Sequence, residues 1–307
     1  MANIRLQQEV ASQTPDLVWV DKGSWIYPSV LRNLHNHTKF LVHYNTDDVY
    51  GNSRFWLHRL GIKAYDLYLT TNRFNVREIE QRYGVRSVRV GMGYDHHVHT
   101  AGRLQKSPNQ YSVVFIGHWE PHTEKYIGTL LRAGVSARVW GAGWQKAADP
   151  VLRSVTPLPE TDYRATIAAA DIALCFLSRW NRNESTGRSF EIPAIGSFLL
   201  AERTPEHEYL FGDGSHAALF SSEDELIEKT RYYLANPEKR QAIAQSGHQR
   251  VLELGLSWED HVRREWPMAL RLLNSGSDFQ ESDHFPFWQG FRDGSPADIG
   301  EHSCLRQ

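Results

Sequence analysis

Arg188 and Glu191 stand three residues apart inside TGRSFEIPAIGSFLLAE, Thr186 to Glu202. Thr186 and Gly187 ahead of them, with Ser189 between them, read as a helix N-terminus, and Pro193 follows soon after. Backbone N–H groups at such a start lack helical partners and collect anions. After Gly196 the pattern switches to SFLLA, a buried strand. The same two side chains, at i and i+3, can also pair with each other on a helix surface, and spacing alone leaves both readings open.

Other groups with chemical potential are fewer. HYNTDD ends an apolar run with Asp47 and Asp48, and DLVWV is followed by Asp21. A carboxylate behind a strand serves either as a general base or as the N-cap of the next helix. His96, His97 and His99 form HHVH, with no acidic or cysteine partner at a recognised metal spacing, so no metal site is expected there. No Walker loop, GxSxG elbow or HExxH occurs.

These residues need elements to hold them. DLVWV, KFLVHY, DLYLTT and SVRVGM read as buried strands separated by helix-length segments, the layout of a parallel α/β unit. A polar break follows from His99 to Gln110. The alternation then restarts with SVVFIG, ARVWG, DIALCFL, SFLLA and AALF. Two helical segments meet at Asn236-Pro237, an amphipathic run SWEDHVRREWPMALRLL comes next, and an aromatic-containing stretch from Asn274 to Gln307 shows no regular pattern.

Composition narrows the class. The 307 residues carry 34 Lys and Arg against 36 Asp and Glu, so no basic excess argues for nucleic acid. Cys175 and Cys304 are too few to staple the fold, and a reducing cytoplasm is the expected location. MANIRLQQEVASQ lacks a signal-peptide core, and no apolar run is long enough to span a bilayer.

The order FIGHWE, VWGAGW, DYRATIAAADIALCFL, GRSFEIPAIGSFLLAE and YLFGDGSHAALFSSEDELIEKTRYYLANPEKRQAIAQSG resembles the C-terminal half of the spore-maturation (CgeB-type) glycosyltransferases, members of the GT-B superfamily. DLVWVDKG, VHYNTDDVYG, YDLYLTTNRFNVREIEQRYG and YDHHVHT are similar to the N-terminal half, so the likeness covers about Asp16 to Gly255. It implies an α/β, GT-B-like chain of two Rossmann-like domains facing a cleft. Residues 1–104 are the acceptor-side domain. Residues 105–273 are the donor domain with its terminal helices, which brace both, and 274–307 are an irregular tail.

The resemblance implies a nucleotide-diphosphate sugar as donor and an acceptor that is not identifiable. No cofactor is expected, and no metal, because a helix N-terminus and Arg188 offset the diphosphate charge and Asp47-Asp48 has no evident further ligand set. The resemblance places Glu191 where a carboxylate accepts from the ribose hydroxyls, and Thr186, Gly187 and Arg188 beside the diphosphate. Gly117 and His118 follow a strand as a phosphate-approaching loop would, although a strand-ending glycine is common. Trp144 is a flat apolar face for the base or a packing residue. Asp47 or Asp48 is the candidate base for the acceptor, with Asp21 in reserve.

Two departures from the pattern stand out. A short helix-like lead precedes DLVWV where another βα unit is expected, so the first domain reads as abridged. Many retaining relatives carry a glutamate eight positions before the ribose glutamate. Here that position is Asn183, with Glu184 one residue late. A non-catalytic nucleotide-sugar-binding or assembly protein, and a sugar-nucleotide epimerase or hydrolase, are the competing readings.

Overall fold

The computed structural model describes residues 1–51, 55–100 and 111–274. They form two compact units. The first comprises Met1–Gly91, Trp180–Asn183 and the chain from Val262 on, and the second Met92–Arg179 with Glu184–His261. The irregular tail expected from 274 lies, beyond that residue, outside the described residues.

The first unit carries α1 (Ala2–Gln13), β1 (Leu17–Asp21), α2 (Pro28–Leu34), β2 (Phe40–Asn45), α3 (Trp56–Gly61), β3 (Leu67–Thr70), α4 (Arg73–Tyr83) and β4 (Ser87–Arg89). Its four strands lie in the order β1-β2-β3-β4, all parallel. Parallel neighbours in chain order are as a rule joined by right-handed crossovers, which carries the connecting α2, α3 and α4 to one face. There Leu31, Leu34, Leu41, Ile62, Tyr68 and Ile79 bury their side chains together. Against Trp19 of β1 pack Tyr44, stacked at 5.8 Å, and Trp266, also at 5.8 Å. Trp266 belongs to α12 (Trp258–Asn274), whose residues from Val262 on are part of this unit.

The second unit opens with the short α5 (His96–His99), then β5 (Tyr111–Ile116), α6 (Pro121–Arg132), β6 (Ala137–Trp140), α7 (Glu160–Ala168) and β7 (Ala170–Cys175). It continues with α8 (Gly187–Ala194), β8 (Leu199–Glu202), α9 (Pro205–Phe211), β9 (Ala218–Phe220), α10 (Glu223–Ala235) and α11 (Pro237–Glu253). Five parallel strands take the order β6-β5-β7-β8-β9. β8 is buried along its whole length and β7 nearly so, as expected of strands covered by helices on both faces. Every strand expected from the apolar runs is present.

The N-terminal stretch of the first unit ends at Gly91, ahead of the polar break at 99–110 and of the expected boundary at 104. From Met92 the chain is already bonded into the second unit, with Tyr94 N donating to Leu256 O at 3.3 Å and Trp258 N to Tyr94 O at 3.0 Å. Among the described residues, no helix is long and apolar enough to cross a membrane.

Candidate functional site

In the second sheet the strand order reverses at β5, which has β6 on one side and β7 on the other. Ligands of open α/β sheets bind beyond the C-terminal strand ends at such a reversal. The loop after β5 begins with Gly117 and His118, and the chain after β7 leads to the N-terminus of α8.

Gly117 is tightly held. Its N–H donates to Trp140 O at 2.8 Å and its carbonyl accepts from the Trp144 indole at 2.9 Å. A Cβ there would lie 2.5 Å from Cζ of Phe115, so the turn over that ring demands glycine. His118 is exposed. Trp144 is not an open face for a base: it is 0% exposed, within the core around Val113, Phe115 and Ile127, and its one polar atom is spent on Gly117. Of the two readings offered for this residue, packing is the one realised.

The start of α8 is built by a chain of hydrogen bonds. Thr186 N donates to Ser189 Oγ at 3.0 Å, Ser189 Oγ meets His207 Nε2 at 2.8 Å, and His207 Nδ1 meets the Glu202 carbonyl at 2.6 Å. The carbonyl requires the proton on Nδ1, so Nε2 accepts from the Ser189 hydroxyl. Burial lowers the His207 pKa and keeps the ring neutral. Cys175, fully buried below Ser189, has its thiol pushed up to about 11 by burial and is no nucleophile.

On this scaffold Glu191 folds back over the first turn. Its Oε1 would stand 2.8 Å from a Cβ on Gly187, and its Oε2 accepts from the Tyr163 hydroxyl at 2.7 Å. No ion pair joins Arg188 to Glu191. The Arg188 guanidinium lies over the Phe115 ring at 5.8 Å, and its buried Nε has no hydrogen-bond partner among the described residues. The i, i+3 surface pair is therefore not formed. Buried polar groups are normally satisfied, and a guanidinium left open beside free helix amides is suited to an anion. Phe115 lies beneath Gly117 and also beneath Arg188, so it brings the β5 loop and the first turn of α8 to one place.

Two parts of this neighbourhood were not anticipated. Tyr163 is one; nothing in DYRATIAAA marks it. Glu202 is the other. It is buried at the end of β8, accepting from Leu177 N at 2.8 Å, from Arg179 Nη2 at 2.7 Å, and meeting His122 Nε2 at 3.1 Å. It fixes the loop leaving β7. A carboxylate closing the otherwise apolar SFLLAE is the signal that could have found it.

In the first unit, Asp48 does not stand free as a base. Its side chain is 0% exposed and accepts from Arg182 through both Nε and Nη2, from Asn75 Nδ2 at 2.9 Å and from Tyr50 N at 2.9 Å. Burial alone would raise its pKa, but these bonds overcome that and hold it at about 2. Arg182 also pairs with Glu78 at 2.7 Å. Asp48 caps the turn at Tyr50 rather than serving as a proton acceptor.

Asp47 is more open. Lys22 Nζ approaches it at 3.2 Å and Asn181 Nδ2 donates to it at 3.1 Å. Asp21, at the end of β1, is exposed. Asn183 donates to Thr46 O and accepts from Asn72, each at 2.9 Å, so its amide is engaged in the first unit. In the HHVH run, His97 pairs with Glu259 at 3.0 Å and His99 bonds the Asp95 backbone at 2.9 Å. No cluster of three potential metal-ligating His, Cys, Asp or Glu occurs among the described residues.

A family profile described as glycosyl transferase-like matches residues 124–264. No curated protein matches the chain in sequence. Among solved structures, sucrose-phosphate synthase from Thermosynechococcus elongatus superposes with a TM-score of 0.64 at 11% identity, covering 89% of this chain and 78% of its own. HepE from Anabaena, solved with UDP-glucose, gives 0.60 at 13% identity, covering 87% and 82%. A UDP-N-acetylglucosamine 2-epimerase gives 0.52 at 15% identity, covering 91% and 78%. The chain thus has a GT-B-like fold of two parallel α/β units and contains a glycosyl transferase-like domain.

Proposed function

We propose that the protein transfers a glycosyl group from a nucleoside-diphosphate sugar to an acceptor hydroxyl. The observation that carries this reading is the first turn of α8, where an unpaired guanidinium, free amides and an oriented carboxylate meet at the strand-order reversal. Glu191 accepts from the ribose hydroxyls, which present two donors side by side. Arg188, the amides of Gly187 and Arg188, and Thr186 face the diphosphate, with His118 on the loop opposite the same ring. As the glycosidic bond breaks, negative charge grows on the departing diphosphate, and fixed donors aimed there favour the transition state over the ground state. This charge compensation needs no divalent ion, so turnover is expected to persist in a chelator.

On the acceptor side we assign the base to Asp47, the carboxylate that Arg182 leaves available. The glycosyl transferase-like profile and the HepE complex with UDP-glucose support the donor class. The CgeB-type glycosyltransferases remain the proposed family.

The test is incubation with a panel of sugar nucleotides and saccharide, peptide and small-molecule acceptors, read by mass spectrometry. Release of nucleoside diphosphate with a glycosylated product is expected, and Asp47→Asn should cut the rate about a hundredfold or more with donor affinity intact. An isomerised sugar nucleotide without acceptor would instead favour the epimerase class, and binding without turnover a non-catalytic module.

A further inference from the structure

We infer that Tyr163 is a positioning residue for ribose recognition, holding the Glu191 carboxylate so that a single oxygen, Oε1, is offered to the sugar of a ribonucleotide. This rests on the proposed donor reading of Glu191 and goes beyond it in naming what sets the carboxylate and how many of its oxygens are available.

A helical glutamate already leans back over the residue four positions earlier, and the helix N-terminus favours its charge, but three side-chain torsions leave the plane and reach of the carboxylate open. In Glu191 both oxygens are constrained. On one side Gly187 has no Cβ, and a methyl group there would stand 2.8 Å from Oε1. On the other, the Tyr163 hydroxyl donates to Oε2 at 2.7 Å. The donor sense is fixed chemically. Burial first, and the neighbouring Glu191 charge second, raise the phenol pKa well above its usual value, so the hydroxyl keeps its proton.

The phenol itself is anchored. Tyr163 lies on α7 between β6 and β7, and its ring meets the His99 ring edge-on at 6.2 Å. A hydrogen bond from a rigid aromatic side chain to an ionised acceptor is short and directional, which suits a positioning role. Oε2 is thereby partly satisfied before any nucleotide arrives. Oε1 has no hydrogen-bond donor among the described residues and is the oxygen left for a ribose hydroxyl.

The experiment compares UDP with 2′,3′-dideoxyuridine diphosphate, by calorimetry, on the wild-type chain, Tyr163→Phe and Glu191→Ala, with melting temperatures recorded for each. Phenylalanine keeps the ring and its contact with His99 while removing only the hydroxyl. Tyr163→Phe should bind UDP about threefold to tenfold more weakly, the loss expected for one hydrogen bond, and bind the dideoxy analogue as the wild type does. Glu191→Ala should bring the two ligands to similar affinity. If Tyr163→Phe binds UDP unchanged, or loses equally on both ligands, the positioning role is wrong while the donor reading stands on Glu191→Ala. If Glu191→Ala also fails to narrow the gap between the ligands, it is the donor reading itself that is wrong.

Discussion

Gly187 and Glu191 are locked in a steric relationship: a Cβ on the glycine would lie 2.8 Å from Oε1 of the glutamate one helical turn later. The glycine is not there for its backbone, since its φ is outside the left-handed region. It is there because the carboxylate uses the space. Gly187→Ala should therefore leave stability within about 1 kcal/mol, alanine being the better helix former, while expelling the carboxylate from its position and weakening nucleotide binding. Melting and calorimetry on the same preparation check this. Unchanged UDP affinity in Gly187→Ala would show that Glu191 does not need that place to act.

Among the described residues Arg188 has a buried Nε without a hydrogen-bond partner and forms no ion pair with Glu191. Arg188→Ala should lose more affinity for UDP than for uridine, because what disappears is a planar cation facing phosphate. Titration of both ligands decides the point. Equal losses would move Arg188 away from the diphosphate.

Asp48 and Arg182 form an ion pair across 134 residues of chain, and the aspartate is wholly buried. Removing Arg182, itself 41% exposed, takes the charged donor from a buried carboxylate that keeps Asn75 and Tyr50 N, at a cost of about 1–3 kcal/mol. Arg182→Ala should lower the unfolding free energy by that amount while nucleotide affinity in the second unit stays as it was. A stable Arg182→Ala variant would mean that water satisfies Asp48 readily.

Acid should weaken the fold through buried histidines. His43 is fully buried with neither ring nitrogen bonded among the described residues, and lies among the rings of His58, Tyr65 and Tyr68 at 4.5 to 4.7 Å. Burial first, and the neighbouring His58 second, depress its pKa well below 6.5. Burial brings His58 from 6.5 to about 4, and His207 is lowered too. In each case the unfolded chain binds the proton more readily. Stability is intact above about pH 6.5 and falls as pH drops below it, for His58 down to about 4, by up to about 1.4 kcal/mol per pH unit for each group. Asp48, depressed from 3.8 to about 2, gives a contribution that is lost only below that window. Replacing His43 by Phe, which removes a ring without hydrogen bonds, should flatten the melting curve between pH 6.5 and 4. An identical slope in His43→Phe would contradict this origin.

The strands were legible because parallel strands covered on both faces must be continuous apolar runs, and DIALCFL and SFLLA have no other good reading. Arg188 and Glu191 were legible because a helix-start signal precedes them within two residues. What could not be read depended on distance along the chain. Tyr163 reaches Glu191 across 28 residues, and the Asp48 carboxylate, which on its own looks like a base, is taken up by an arginine far away in sequence. Trp144 illustrates a different limit. Tryptophan after a strand serves a ligand or a core equally well, and only the burial of its indole against Gly117 separates the two.

The most direct measurement is the affinity of UDP for wild-type protein and for Glu191→Ala, by calorimetry, with melting as the control for folding. Loss of a charged acceptor for the ribose hydroxyls should weaken binding on the order of tenfold to a hundredfold at an unchanged melting temperature. Equal affinity in a well-folded Glu191→Ala variant would remove the nucleotide from the start of α8.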